Sequence, residues 1–150
     1  GAAALQHQGW AVDRHEGHDE TGNRHPQGLQ ADLQAAFARY ETALINNDVQ
    51  ALDELFWHSA QTVRYGVAEN LYGIDAIRDF RNARPAHNLA RTLQNTLIST
   101  FGDDFGTAMT EFRRVGGHKL GRQSQTWCRI DGRWVIVAAH VSLMDEPAVP

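Results

Sequence analysis

Two side chains of this sequence could carry polar chemistry in otherwise apolar surroundings. Arg64 lies on a short β-branched and aromatic segment, where an arginine that is buried needs an anionic partner. Tyr40 falls on the apolar stripe of an amphipathic segment. Plain structural roles stay open for both residues. Arg64 can pair with Glu111 or Asp53 or remain exposed, and Tyr40 can be a core residue with a hydrogen-bonded hydroxyl.

Further polar side chains lie among the aromatic residues of the last two predicted strands. The dipeptide Asp131-Gly132 predicts a two-residue hairpin turn, which pairs Ile130 with Arg133. Pairing outward from the turn sets Trp127 opposite Ile136, Gln125 opposite Ala138 and Gln123 opposite His140. Because side chains alternate along a strand, one sheet face is expected to carry Gln123, Gln125, Trp127 and His140. These polar groups need partners, either a ligand in a pocket or one another in a wet core.

Other common catalytic devices are missing from the sequence. It contains neither the Gly-x-Ser-x-Gly elbow of serine hydrolases nor the His-Glu-x-x-His pattern of zinc enzymes. The run from His15 to Asp19 has a different spacing from the helical zinc pattern. Cys128 falls on the face opposite Gln125, where we expect a small buried hydrophobe rather than a nucleophile. We therefore expect no metal and no cofactor.

Composition and charge predict a soluble cytoplasmic protein of one domain. The chain has 150 residues, 42% of them hydrophobic and 21% charged, as in ordinary globular proteins. Its formal net charge of −4 argues against a nucleic-acid partner, which would need a basic surface. No apolar run is long enough to cross a bilayer, and the first residues lack the order of a signal peptide. The single cysteine fits a reducing compartment.

The domain proper is predicted to span residues 29–145. Residues 1–28 contain four histidines, several glycines and few apolar residues. Such a segment cannot bury enough surface to offset the entropy of ordering it, so we expect a flexible N-terminal extension. Residues 146–150 are expected to form a C-terminal tail.

Within the domain, helices come first and strands follow. Apolar spacing predicts helices at about 29–46 and 74–83, with a short helix capped by Asp48 between them. A short strand is predicted at 62–65, and Gly66 and Gly73 bracket a turn region. Long strands are predicted at 91–101, 105–115, 120–130 and 133–143. This order predicts an α+β fold in which three helices cover one face of a curved, mostly antiparallel sheet.

The last strand is apolar on both sides, so both of its faces should be covered. The helices can cover one face. For the other face, which is expected to carry Val135, Val137 and Val141, a second subunit is the economical partner. We therefore expect a homodimer.

Several motifs resemble known families. The hairpin at 127–134, the following His140-Val141-Ser142 and the segment 73–78 resemble NTF2-like (SnoaL-like) domains, in which a cone-shaped pocket lies between helices and sheet and dimers are common. Longer segments resemble the narrower AtzH/HpxZ-like group, and they are residues 52–58, 62–66, 69–73, 81–85 and 121–127.

The second resemblance implies a function. The group accompanies amidase-signature hydrolases of cyanuric acid and oxalurate breakdown, and its AtzH member resembles a small amidohydrolase that acts on 1,3-dicarboxyurea in s-triazine catabolism. By this resemblance Arg64 and Tyr40 are the catalytic residues. Arg64 would bind a substrate carboxylate bidentately, Tyr40 would donate a proton, and water would be the nucleophile. The residues expected to bind substrate from the sheet are Gln123, Gln125, Trp127 and His140.

Two other functions remain open from the sequence. The domain could be a ligand-binding or accessory subunit associated with an amidase-signature hydrolase. It could also be a SnoaL-like isomerase or lyase that uses His140 as its base.

Overall fold

The computed structural model describes residues 26–85 and 89–146. Three helices are present in these ranges, α1 (Pro26–Ile45), α2 (Val49–Leu55) and α3 (Ile74–Ala83). Six strands accompany them, β1 (Val63–Tyr65), β2 (Asn70–Tyr72), β3 (Arg91–Phe101), β4 (Phe105–Arg114), β5 (Leu120–Ile130) and β6 (Arg133–Met144). The predicted extension at 1–28 lies outside the described residues apart from its last three, which belong to α1, and of the predicted tail only Glu146 is described.

The strands form one sheet in the order β2-β1-β6-β5-β4-β3. Only β1 and β6 run parallel among the described strands, and every other neighbouring pair is antiparallel. The predicted α+β fold, with three helices on a mostly antiparallel sheet, is confirmed. The short strand β2 is new, because the region between Gly66 and Gly73 was expected to be a turn. None of the described helices is long and apolar enough to cross a membrane.

Local sequence explains where the helices begin and end. The apolar stripe of α1, Leu33, Phe37, Tyr40 and Leu44, is buried against the sheet. Asp48 caps α2 by accepting a hydrogen bond from the Ala51 amide at 3.1 Å. Arg84 has extended backbone angles, as expected before a proline, and this ends α3.

A β-bulge sets the faces of the last hairpin. Near the turn, Ile130 pairs with Arg133 and Trp127 pairs with Ile136, as predicted. The register then shifts between Thr126 and Trp127, because β6 carries one extra residue there. Beyond the bulge Gln125 pairs with Ala139, Gln123 with Val141 and Ser124 with His140.

The predicted register beyond residue 127 is therefore wrong by one residue. A shift of one residue moves every later side chain of a strand to the other face of the sheet. Val141 and Ala139 consequently join Gln123 and Gln125 on the inner face, which the helices cover, and both are buried. His140 lies on the outer face and is exposed.

The bulge also divides the surface on which the homodimer was predicted. Val141 is on the inner face and cannot contribute to an outer interface, whereas Val135 pairs with Cys128 on the outer face. Large apolar side chains exposed on the outer face include Tyr72, Phe101, Phe105 and Met109. A homodimer stays a prediction, without the valine surface that was expected to form it.

Close packing between β4 and β5 leads to a stability prediction. Gly121 pairs with Phe112, and a Cβ atom at Gly121 would lie 2.2 Å from the phenyl ring. Gly121→Ala should therefore destabilise the fold by about 1–3 kcal/mol through overpacking. Denaturant unfolding would measure this loss, and adding Phe112→Leu should recover part of it. An unchanged unfolding midpoint for Gly121→Ala would contradict this packing.

Candidate functional site

An internal cavity lies between α1, β1, the end of α3 and the inner face of the sheet. Its volume is about 40 Å³, and it opens into a wider funnel of about 450 Å³. Arg64, Arg84 and Arg114 line both spaces. The polar residues that line the inner cavity are Tyr40, Arg64, Arg84, Arg91, Arg114 and Gln123. Five of these six side chains are basic or phenolic donors, so the surroundings of the cavity are positively charged.

Arg64 reaches this cavity from the middle of β1. It pairs in register with Ala139 of β6, which places its side chain on the buried inner face with 7% of the residue exposed. Its guanidinium Nη1 donates to Glu69 Oε2 at 3.0 Å and lies 5.3 Å from the centre of the Phe80 ring. The ion pairs considered from the sequence, with Glu111 or Asp53, do not form. The Glu69 side chain is 26% exposed, so this ion pair lies at the edge of the buried region.

Arg91 enters from β3 and is held more firmly. Two of its nitrogens donate to the Glu41 carboxylate, and the Nη2 group also donates to Gln123 Oε1 at 2.9 Å. The guanidinium lies 4.4 Å from the centre of the Phe112 ring. This network fixes the amide of Gln123, whose nitrogen has no hydrogen-bond partner within the part of the chain that the structure describes. The amide nitrogen of Gln123 is thus a buried, unpaired donor beside the cavity.

Tyr40 extends from α1 into the arginine cluster. Only 2% of the residue is exposed, and burial by itself would raise the pKa of its hydroxyl. The positive charges of Arg81, Arg64 and Arg91 outweigh burial, so the pKa of Tyr40 lies below its ordinary value. A phenol of this kind transfers protons more readily near neutral pH than an ordinary tyrosine does.

Arg81 was missed by the sequence prediction. It is 3% exposed, its guanidinium lies 5.6 Å from the centre of the Phe56 ring, and burial lowers its pKa. Among the described residues none provides its guanidinium nitrogens with a hydrogen-bond acceptor in good geometry. A signal for it was present, since Ile74, Ile77 and Arg81 share the buried stripe of α3.

Arg84 completes the cluster at the end of α3. Burial, followed by repulsion from Arg81 and Arg64, lowers its pKa to about 10, so it remains charged at neutral pH. Together with Arg64, Arg81, Arg91 and Arg114, this makes five guanidiniums around Tyr40 and the cavity. Among the described residues only two carboxylates pair with them, those of Glu41 and Glu69, so positive charge is in excess. Unmatched buried charge is unfavourable, and an anionic ligand would relieve it.

The predicted site residues are only partly brought together. Tyr40, Arg64 and Gln123 line the cavity. Gln125 and Trp127 share the inner sheet face but lie deeper, where the indole nitrogen of Trp127 donates to Gln125 Oε1 at 3.1 Å. His140 is on the other side of the sheet, where its ring packs edge-on against Tyr65 at 5.5 Å. The bulge in β6 is the reason for this displacement.

The described ranges contain neither a cluster of metal-binding side chains nor a thiol of lowered pKa. Within residues 26–85 and 89–146, no three His, Cys, Asp or Glu side chains gather in a metal-binding arrangement. Cys128 lies on the outer face opposite Val135, and burial, with a smaller effect from Asp104, raises the pKa of its thiol. A raised pKa disfavours the reactive thiolate.

The comparisons with known proteins agree with this fold. The sequence profile of the AtzH-like family matches residues 24–147. A Pectobacterium atrosepticum protein of unknown function from the DUF3225 family is 59% identical, with 79% of this chain and 92% of that chain covered and a TM-score of 0.77. A cystatin-like fold protein from Burkholderia xenovorans is 48% identical, with 80% and 95% covered and a TM-score of 0.77.

A more distant structure supports the fold alone. It is an NTF2-like superfamily protein from Salmonella enterica serovar Typhimurium, 22% identical, with 82% of this chain and 96% of that chain covered and a TM-score of 0.66. No curated protein matches the chain. The match over residues 24–147 and the shared α+β architecture show that this chain belongs to the AtzH-like family and has the NTF2-like fold.

Proposed function

We propose that this protein is a small amidohydrolase acting on a carboxylated urea, with 1,3-dicarboxyurea as the expected substrate in cyanuric acid breakdown. The observation that carries the proposal is the excess of guanidinium charge around a cavity that contains a phenol of lowered pKa. A dicarboxyurea is a short dianion, so its two carboxylates suit a cavity with excess positive charge. The resemblance to the AtzH-like group implies such a substrate, and the family match supports that resemblance.

The chemistry proposed is hydrolysis of the urea carbon–nitrogen bond. Arg64 would bind one carboxylate with two parallel N–H donors, exchanging Glu69 for the substrate. Arg84, also on the cavity wall, is placed to receive the second carboxylate. Water would add to the urea carbonyl carbon, and Tyr40 would supply the proton that the leaving nitrogen needs. The leaving group is a carbamate, and the acyl half becomes N-carboxycarbamate. Both lose carbon dioxide, and their nitrogen is released as ammonia.

Ammonia release tests this proposal. Dicarboxyurea decays without catalysis, so it should be generated enzymatically in the same vessel, with a protein-free blank. The purified protein should release ammonia above the blank with saturation kinetics, and Arg64→Ala protein should stay near the blank. Release equal to the blank at every protein concentration would contradict the hydrolase proposal.

If catalysis fails in that assay, a thermal-shift measurement distinguishes a binding role. A ligand that binds the folded state raises its melting temperature. A rise with dicarboxyurea, in the absence of ammonia release, would favour the ligand-binding or accessory subunit.

The isomerase or lyase alternative required His140 as a base in the cavity. The structure does not support this role, because His140 is exposed on the opposite face of the sheet. His140→Ala should therefore leave kcat and KM for dicarboxyurea within about twofold of the parent protein, as is usual for surface substitutions. Steady-state ammonia release measures this. A large loss of kcat in a variant with unchanged unfolding would return His140 to the site.

A further inference from the structure

Arg81 is a buried neighbour of Tyr40, and its positive charge favours the ionised form of this tyrosine. Arg81 is buried, packs on Phe56 and is absent from the lining of the cavity, whereas Tyr40 belongs to that lining. The Tyr40 ring also packs on Phe56, 6.3 Å away between centroids, so both side chains adjoin Phe56 while Tyr40 faces the ligand space. Arg81 can therefore influence a ligand through Tyr40.

A buried guanidinium needs a negative partner, and Arg81 has no carboxylate. Of the other cluster arginines, Arg64 pairs with Glu69 and Arg91 pairs with Glu41. For Arg81, the described residues offer no carboxylate within ion-pair distance and no acceptor in good hydrogen-bond geometry. The Tyr40 oxygen is the neighbouring group that can become an anion. An uncompensated buried charge is unfavourable, which favours ionisation of that oxygen.

We propose that Arg81 is a positioning residue that keeps Tyr40 as its phenolate counter-ion, so that Tyr40 first takes a proton from water and later returns it to the leaving nitrogen. The chemical step rests on the proposed hydrolase function, whereas the ionic Tyr40–Arg81 pair does not. The proposal changes the expected role of Tyr40, from a neutral acid in the resting protein to a base.

The surroundings of Tyr40 are compatible with this state. Charged groups face it from every element packed around the cavity. The arginines are Arg64 on β1, Arg81 and Arg84 at the end of α3, Arg91 on β3 and Arg114 on β4. The carboxylates are Glu41 on α1, paired with Arg91, and Glu69, paired with Arg64. Both carboxylates are engaged by arginines. The charge that Tyr40 experiences is therefore positive, and its lowered pKa follows from this excess.

The proton balance of the step is closed. A water molecule gives a proton to the Tyr40 phenolate oxygen while its own oxygen forms a bond to the urea carbonyl carbon. The tetrahedral intermediate then breaks its carbon–nitrogen bond, and the Tyr40 hydroxyl gives the same proton to the departing nitrogen. Tyr40 returns to the phenolate form, and Arg81 stays protonated throughout.

Spectrophotometric titration of tyrosine in the substrate-free protein tests the ionic pair. The chain contains three tyrosines, and the appearance of tyrosinate absorbance reports each ionisation. We expect one tyrosine equivalent to ionise well below the ordinary pKa of about 10. This early phase should be absent in Tyr40→Phe. If no tyrosine ionises before its ordinary range in the parent protein, the proposal is overturned.

Variants at residue 81 connect the early phase to Arg81. Arg81→Gln removes the charge and should shift the early phase upward by at least one pH unit, while Arg81→Lys should keep part of the shift. Arg39→Gln is a matched control, because Arg39 adjoins Tyr40 on α1 but forms a surface ion pair with Glu54. If Arg81→Gln does not fold, the proposal is tested by the parent protein, which should show the early phase, and by Arg81→Lys, which should keep part of the shift. An early phase that is unchanged in a folded Arg81→Gln would overturn the proposal.

The pH dependence of turnover separates this inference from the proposed function. With Tyr40 as the base, kcat should fall as the pH drops through the pKa of the early phase, because the phenolate is then protonated. Hydrolysis without an early tyrosine phase would contradict the Arg81 pair and leave the hydrolase intact. An early phase without hydrolysis would support the pair and contradict the hydrolase.

Discussion

Replacing Tyr40 by phenylalanine should lower kcat for dicarboxyurea by about 10²–10⁴-fold, the usual contribution of a positioned acid or base. The ring would keep its packing against Phe56, 6.3 Å away between centroids, so the substitution removes only the hydroxyl. KM should change little, since the arginines that bind the carboxylates are untouched. Ammonia release under steady-state conditions separates the two constants.

The stability of the Tyr40→Phe variant is a useful internal control. Loss of the hydroxyl removes a partner of Arg81, so a modest decrease in unfolding free energy is expected, of about 1–3 kcal/mol. Circular dichroism should confirm that the variant is folded under assay conditions. A folded Tyr40→Phe protein with the parent kcat would remove the tyrosine from the mechanism.

Replacing Arg64 by alanine should lower kcat/KM by at least about 100-fold. A bidentate arginine–carboxylate contact contains two charge-assisted hydrogen bonds, each of about 1.5–3 kcal/mol, and the variant loses both. Arg64→Lys should recover only a small part, because a lysine presents a point charge in place of a planar fork. Both variants are measured by ammonia release over a range of substrate concentrations.

An arginine outside the cavity provides the comparison for Arg64. Arg129 pairs with Asp104 at 3.1 Å and does not line the cavity, so Arg129→Ala should leave kcat/KM near the parent value. Glu69 loses its ion-pair partner in Arg64→Ala. Because its side chain is 26% exposed, water can solvate the carboxylate, and the fold should tolerate this variant. Equal effects of the two arginine variants would contradict a specific role for Arg64.

Much of the fold could be predicted from the sequence because its hydrophobic pattern is periodic. The apolar stripe that includes Leu33, Phe37 and Tyr40 predicted α1, although the helix begins at Pro26, a few residues earlier than expected. Proline suits the first turn of a helix, so this start was open to prediction. The turn at Asp131-Gly132 gave the correct pairing of β5 with β6 as far as Trp127.

The bulge in β6 could not be predicted for a physical reason. An alternating pattern fixes the register of a strand only where one face is apolar and the other polar. Residues 135–139 are all small or apolar, so an extra residue at this place leaves the pattern unchanged. The consequence appears only further along the strand, where His140 and Val141 exchange faces.

The candidate site was predicted in part for a related reason. Tyr40 and Arg64 lie on elements whose buried faces are clear from the pattern and from family resemblance. Arg81 lies on an equally clear stripe, but a charged side chain at a buried position is uncommon, so the stripe alone did not mark it as a site residue. Charged residues that interrupt an apolar stripe therefore merit attention as site candidates.

The selectivity of ammonia release among related ureas tests the central claim most directly. Dicarboxyurea, N-carboxyurea and urea carry two, one and no carboxylates on the same carbonyl framework. If the excess guanidinium charge of the cavity selects a dianion, kcat/KM should fall by at least about tenfold with each carboxylate removed, since one charge-assisted hydrogen bond contributes about 1.5–3 kcal/mol. Equal kcat/KM values for the three compounds, or release from none of them, would contradict the account.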